Sequence, residues 1–253
     1  MSALEISLIV LACVFGSALL GLYLQTRVPD HHLSADSKDS VKLSTGIIAT
    51  MAALVLGLLV SSAKNSFDQI NNELVGSAVN VVVLDRTLAD YGPEAQEIRN
   101  SLKGYFMARV GLLTSGKNAK LAKLDSSKMV DEIEGLRAKV LQLSPGNDAQ
   151  RQLQAQATQT ISELIQARWQ VVLQRSSSLS MPLVTLLVVW LAVIFAAFGM
   201  FSPRNQTVVA TLFLSALSVS GAIFLIIELN SPLTGFITVS NEAMHAAIAH
   251  LGQ

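Results

Sequence analysis

The sequence predicts an all-helical membrane protein in which four spanning helices carry a water-soluble antiparallel helical bundle between the second and third. Three observations predict it. Of the 253 residues, 51% are apolar and only 14% are charged, with a mean hydropathy of +0.49, whereas soluble domains carry about 25% charged residues. Four runs, residues 6–24, 43–63, 179–201 and 207–227, contain no Asp, Glu, Lys or Arg. Between the second and third runs the apolar residues fall into a heptad rhythm.

Each run exceeds the roughly 18 apolar residues needed to cross a 30 Å hydrocarbon core at about 1.5 Å per residue. The first is read as a retained span rather than a cleaved signal, because Glu5 is the first charge and no Lys or Arg precedes it. Ser202-Pro203-Arg204-Asn205-Gln206 alone separates the last two spans, which forces an antiparallel hairpin. Four crossings place both termini and residues 64–178 on one face. The long segment holds fourteen of the 18 Lys and Arg, but long segments weigh little in the positive-inside rule. Near the membrane, Lys64, Arg168 and Arg175 oppose Arg27, Lys38, Lys42 and Arg204, so charge alone does not orient the chain. The organisation is residues 1–63 (two spans and their loop), 64–178 (soluble bundle), 179–229 (two spans) and 230–253 (a turn and a short helix).

Within the soluble segment Phe67, Ile70, Leu74, Val81, Leu84, Leu88 and Tyr91 alternate three and four apart, a coiled-coil-like seam that only Ser77 interrupts. No Pro or Gly cluster separates this seam from the second span, so one helix is expected from about residue 43 to 91. It would be roughly 70 Å long and project on the order of 40 Å beyond the bilayer. Gly92-Pro93-Glu94 reads as a stop and a restart. Ile98, Leu102, Tyr105, Phe106 and Arg109 mark the next helix. Leu121, Leu124, Met129, Ile133, Leu136, Val140 and Leu143 mark a third. Ser144-Pro145 is read as the cap of a fourth, carrying Leu153, Ala157, Ile161, Leu164 and Val171 into the third span with a bend at Pro182.

The second span carries two candidate stripes. Ile48, Met51, Val55, Leu58 and Ser62 form a bulky face that would line a pore in a symmetric oligomer and gate it by dewetting, with Lys64 drawing anions to its mouth. Ala49, Ala53, Gly57 and Ser61 form an alternative small-residue stripe, better suited to close helix packing. Asn80, Asp85, Arg86, Arg109 and Arg168 lie beside or on apolar faces of the bundle, where buried charge is expected to pair between helices. Asp30, His31, His32, Asp36 and Asp39 crowd the first loop without a closed metal-site spacing, so a solvated turn is expected and no metal or cofactor. Glu228 ends the fourth span beside Asn230-Ser231-Pro232-Leu233-Thr234-Gly235, read as an interfacial turn or, failing that, a cation-sensing loop. Cys13 is the sole cysteine, which leaves no disulfide within one chain. The net charge of +0 argues against a nucleic-acid partner. With no phosphate loop, nucleophile elbow or His-Glu-His helix, the chain is not read as an enzyme.

Three stretches carry a resemblance. One is Pro29-Asp30-His31-His32-Leu33-Ser34-Ala35-Asp36-Ser37-Lys38-Asp39 leading into Gly46-Ile47-Ile48-Ala49-Thr50-Met51-Ala52-Ala53-Leu54-Val55-Leu56-Gly57-Leu58-Leu59. The second is Leu84-Asp85-Arg86 through Tyr91-Gly92-Pro93-Glu94-Ala95, and the third Glu228-Leu229-Asn230-Ser231-Pro232-Leu233-Thr234-Gly235-Phe236-Ile237-Thr238-Val239-Ser240. Together they resemble the bestrophin-like domain of bacterial membrane proteins, remote relatives of the bestrophin anion channels. The resemblance implies a homo-oligomer, pentameric in bestrophins, in a bacterial inner membrane. It also implies a second helix lining a pore for chloride or another small anion, with the helical domain and both termini in the cytoplasm. The Asn-Ser-Pro-Leu turn is similar to the Asn-Pro-Phe-Gly turn of bestrophins, but residues 43–63 lack the Pro and Phe of the bestrophin pore. The alternative reading is a membrane sensor or scaffold whose bundle binds a ligand or partner protein.

Overall fold

The structure is a computed structural model describing residues 2–27, 35–114, 127–176, 181–233 and 235–253. Among the described residues the regular structure is helical: α1 (Ala3–Leu24), α2 (Ala35–Tyr91), a 3-10 turn (Pro93–Ala95), α3 (Gln96–Leu113), α4 (Ser127–Leu141), α5 (Asp148–Ser176), α6 (Met181–Phe201), α7 (Gln206–Leu229) and α8 (Glu242–His250). Four helices are long and apolar enough to cross a membrane: α1, α2, α6 and α7. The chain divides into two compact units, residues 1–65 with 178–230, and residues 66–177 with 231–253. The turn and short helix set apart in sequence thus group with the second unit.

In the first unit, α1 packs along α6 and α7. Gly21 and Gly199 make this possible. A Cβ on Gly21 would lie 2.1 Å from the Ala196 carbonyl oxygen, and one on Gly199 2.0 Å from that of Ala18. Side-chain-free positions let the two backbones meet, the means by which helices associate where lipid removes the hydrophobic drive between them. Val14, Ala18, Leu187 and Ala216 are buried at this junction, and Ser220 Oγ donates to the Ser7 carbonyl at 2.5 Å. Arg204, in the expected hairpin turn, donates to the Leu22 carbonyl and so satisfies an acceptor at the end of α1.

In the second unit the heptad seam of α2 is the core. Ile70, Leu74, Val81, Leu84, Leu88 and Tyr91 are buried, with Phe67 packed at the edge. Facing them are Ile98, Leu102, Tyr105 and Phe106 of α3, Met129, Ile133, Leu136 and Val140 of α4, and Ala157, Ile161 and Leu164 of α5. Gly92, at φ 129° and ψ −175°, turns the chain in a conformation reserved for glycine, and Pro93 opens the 3-10 turn. The two helix ends near α5 are closed by its glutamines: Gln150 Nε2 donates to the Tyr91 carbonyl at 2.9 Å, and Gln154 Nε2 to those of Val140 and Leu143, each at 2.9 Å.

The start of α5 differs from the sequence reading. Ser144-Pro145 lies in an irregular turn, and the cap is Asn147, whose Oδ1 accepts from the Gln150 N–H at 2.8 Å. The Gly146 N–H is meanwhile held by Gln150 Oε1 at 2.8 Å, which fixes the turn just before the helix. Asn147→Ala is therefore expected to cost about 1 kcal/mol of stability in chemical denaturation, and Ser144→Ala close to nothing. The expected passage of α5 into the third span falls on residues 177–180, which lie outside the described residues, as do Leu121, Leu124, His31 and His32.

Candidate functional site

The membrane portion of α2 is the least packed of the four apolar helices, with 17% of its most apolar stretch buried against 33% for α6 and for α7. Its inward side is a single heptad line, Thr45, Ala52 and Leu59, continued by Ala63. Ala52, Leu59 and Ala63 enter the first unit's core with Leu187, Leu191 and Ile223. The opposite side carries bulky apolar residues that no other described residue covers: Leu43 is 73% exposed, Ile47 65%, Leu54 75% and Leu58 62%.

The two sequence stripes flank this face rather than coincide with it. Of the bulky stripe, Met51, Leu58 and Ser62 are exposed, whereas Ile48 and Val55 are half-buried against the core. Of the small stripe, Ala49 is half-buried; Ala53, Gly57 and Ser61 are exposed, and a Cβ on Gly57 would meet nothing within 4 Å. Among the described residues no neighbouring helix covers the small stripe from Ala53 to Ser61. Lys64 is exposed two residues past Ser62. At about 100° per residue the centre of the open face runs between Leu54 and Leu58, roughly a sixth of a turn from the centre of the bulky stripe. Sequence reasoning missed Leu43, Ile47 and Leu54, because in an apolar helix bulk alone does not reveal which side the neighbours take.

In the second unit the charges resolve individually. Asp85, 2% exposed, accepts two hydrogen bonds from Arg99 of α3 at 2.9 Å each, and a third from the Gly252 N–H at 3.1 Å. Burial opposes its charge, but Arg99, Gly252 and the nearby Arg86 outweigh burial and hold the carboxyl below its usual range. Arg86 and Arg99 both donate to the Gln253 main-chain oxygen, and Lys103 to that of Leu251. Residues 251–253 are thereby tied to α2 and α3. Asn80 donates to Glu163 of α5 at 3.3 Å. Arg109 departs from the expected ion pairing: its partner is the Ser77 hydroxyl, at 2.9 Å. The residue that interrupts the seam is the one that receives the buried guanidinium. Glu228 is buried, as are Pro232 and Leu233 of the following turn. Among the described residues no three His, Cys, Asp or Glu gather as a metal site.

This arrangement can be set beside known proteins. A family model of the bestrophin-like domain matches residues 12–244. The chain belongs to the bestrophin-like family. Its fold is that of two solved structures of a bacterial bestrophin homologue from Klebsiella pneumoniae, each carrying a point mutation to threonine. One superposes with a TM-score of 0.70 at 13% identity, covering 96% of this chain and 97% of the other; the second gives 0.68 at 13%, covering 95% and 99%. Among curated proteins none matches the sequence. This bestrophin-like chain is a membrane protein, and its uncovered α2 face lies in the helix from which the resemblance implies a pore.

Proposed function

We propose that the protein is a homo-oligomeric channel of the bacterial inner membrane for chloride or another small anion, with copies of α2 around the conducting axis. The observation that supports it is the open α2 face. It is opposite the heptad line that holds α2 to its own unit, and it is long enough to serve both subunit contact and pore wall. Ala53, Gly57 and Ser61, exposed among the described residues, suit the close approach of a neighbouring copy. Met51, Leu54 and Leu58 supply a ring of apolar side chains that closes a narrow pore by dewetting. Ser62 and Lys64 follow at its end, where a ring of lysines concentrates anions. The residue 66–177 domain and both termini take the cytoplasmic side in this reading, and a pentamer is the expected ring.

The test uses the single cysteine. In a Cys13→Ser background, Leu54→Cys and Leu58→Cys proteins reconstituted in liposomes should pass chloride, and a charged, water-soluble thiol reagent should block them. Leu20→Cys on the exposed side of α1 serves as the lipid-facing control and should remain unmodified. Reagent that reaches none of the three, with chloride flux no greater than in empty liposomes, rules out the pore.

A further inference from the structure

The first unit holds an open groove between α1 and α7. Its volume is about 730 Å³, and it is walled by Phe15 and Leu22 on one side and Val209 and Phe213 on the other. Phe15 and Phe213 meet edge to face, with ring centroids 5.2 Å apart, and form its deep end. From Phe15 to Tyr23, near the end of α1, the groove climbs roughly 12 Å at 1.5 Å per residue. That is most of one leaflet's share of a ~30 Å hydrocarbon core. The mouth is polar and positive. Tyr23 and Arg204 line it, and Arg204 is held there by its donation to the Leu22 carbonyl. Arg27 is held in turn by Tyr23: its Nη2 donates to the phenol oxygen at 2.9 Å, and its guanidinium lies 5.5 Å from the ring centroid. Among the described residues no Asp or Glu lines the groove, and no carboxylate forms an ion pair with either arginine.

An apolar slot with a cationic rim selects for a molecule of the same two-part build. A water-soluble anion gains nothing from the apolar walls, and a plain hydrocarbon gains nothing from the arginines. A guanidinium carries five donors in a planar fork that meets a phosphate through two parallel hydrogen bonds. Tyrosine suits the same level of a membrane, with its ring against acyl chains and its hydroxyl among headgroups. We infer that the α1–α7 groove is a binding site for an anionic phospholipid, with one acyl chain along Leu22 and Val209 toward the Phe15–Phe213 pair and the phosphate at Arg204 and Arg27. A zwitterionic phospholipid fits less well, because its ammonium group meets two positive charges and no carboxylate. The inference does not rest on the pore: the groove uses no residue of α2, and a lipid binds there whether or not the protein conducts.

The experiment places the full-length protein in mixed micelles holding equal amounts of dioleoyl phosphatidylglycerol and dioleoyl phosphatidylcholine, whose acyl chains are identical. Native mass spectrometry counts each lipid retained, and thermal unfolding is followed in parallel. Wild type should carry phosphatidylglycerol several-fold over phosphatidylcholine, and its Tm should rise saturably as phosphatidylglycerol is added. The double variant Arg27→Gln, Arg204→Gln should retain both lipids alike. Ala210→Trp, at an exposed position lining the groove, fills the slot and leaves both arginines in place. It should unfold as wild type does in lipid-free detergent and retain several-fold less of either lipid. Should the double variant fold poorly, Ala210→Trp decides alone. Equal phosphatidylglycerol retention in wild type and Ala210→Trp overturns the site, because the arginines then attract headgroups without the groove. Sodium glycerol phosphate should leave the wild-type Tm unchanged; a rise equal to that from phosphatidylglycerol makes the ligand a free phosphate and overturns the lipid. A structure with a helix of a second copy lying in the groove would also overturn the inference.

Discussion

Gly199→Ala is expected to abolish stable assembly of the first unit, although it adds only one methyl group. The new Cβ would sit 2.0 Å from the Ala18 carbonyl oxygen and 3.0 Å from the Leu22 nitrogen. These are backbone atoms of α1, so no side-chain rotation relieves the clash, and α1 and α6 must separate along their contact. Gly21→Ala meets the same obstacle from the other side, 2.1 Å from the Ala196 oxygen. Overpacking of a core ordinarily costs about 1–3 kcal/mol, and a fixed backbone obstacle places both variants at or above the top of that range. Gly16→Ala and Gly221→Ala are the controls, because a Cβ there meets nothing within 4 Å. They should be neutral or slightly stabilising, as alanine favours helix over glycine by about 1 kcal/mol. Monodisperse yield and Tm in detergent separate the two pairs. Equal behaviour of Gly199→Ala and Gly16→Ala would mean that α1 and α6 do not meet as described.

This junction also marks where the sequence stops being informative. Lengths and charge-free runs identify the spanning helices, because the bilayer thickness and the cost of buried charge leave few alternatives. The rotation of each helix is a different matter. Residues 43–63 carry no charge on any side, and the inward line Thr45, Ala52 and Leu59 is less apolar than the open line Ile47, Leu54 and Leu58, the reverse of what burial in water would select. In the second unit polarity does discriminate, and the seam from Ile70 to Tyr91 is buried where the heptad rhythm places it. The exception there is instructive. Ser77 reads as a defect in the seam until Arg109, 32 residues away, is seen to donate to it. Such long-range polar pairs leave no local periodicity. The true cap of α5 was missed for a related reason: Ser144-Pro145 and Asn147 both fit a helix start, and the choice was made by Gln150 reaching back to Gly146.

The second large effect is expected at Asp85. Its carboxylate neutralises Arg99 at 2.9 Å in a site where the two side chains are 2% and 11% exposed, and it also accepts from the Gly252 N–H. Asp85→Asn keeps the shape but leaves Arg99 and Arg86 without their counter-charge. Removing one partner of a buried pair costs about 3–5 kcal/mol, so the variant should unfold at markedly lower denaturant. Its Gly252 amide should exchange with solvent far faster than in wild type, since residues 251–253 lose their anchor. Asp85→Leu combined with Arg99→Met should recover much of the loss, because an apolar pair carries no unpaired charge; failure to recover would show that the anchoring of Gly252, rather than the ion pair, dominates. The pH dependence follows from the sign of the shift. The folded-state pKa of Asp85 is lowered relative to the unfolded chain. Its contribution is therefore complete above the ordinary carboxylate range near pH 4. It declines as the pH falls from there through the depressed folded value, because protonation is then coupled to unfolding. Wild type and Asp85→Asn should accordingly converge in stability under acid and diverge at neutral pH, and a constant difference between them across that range would exclude Asp85 as the titrating group.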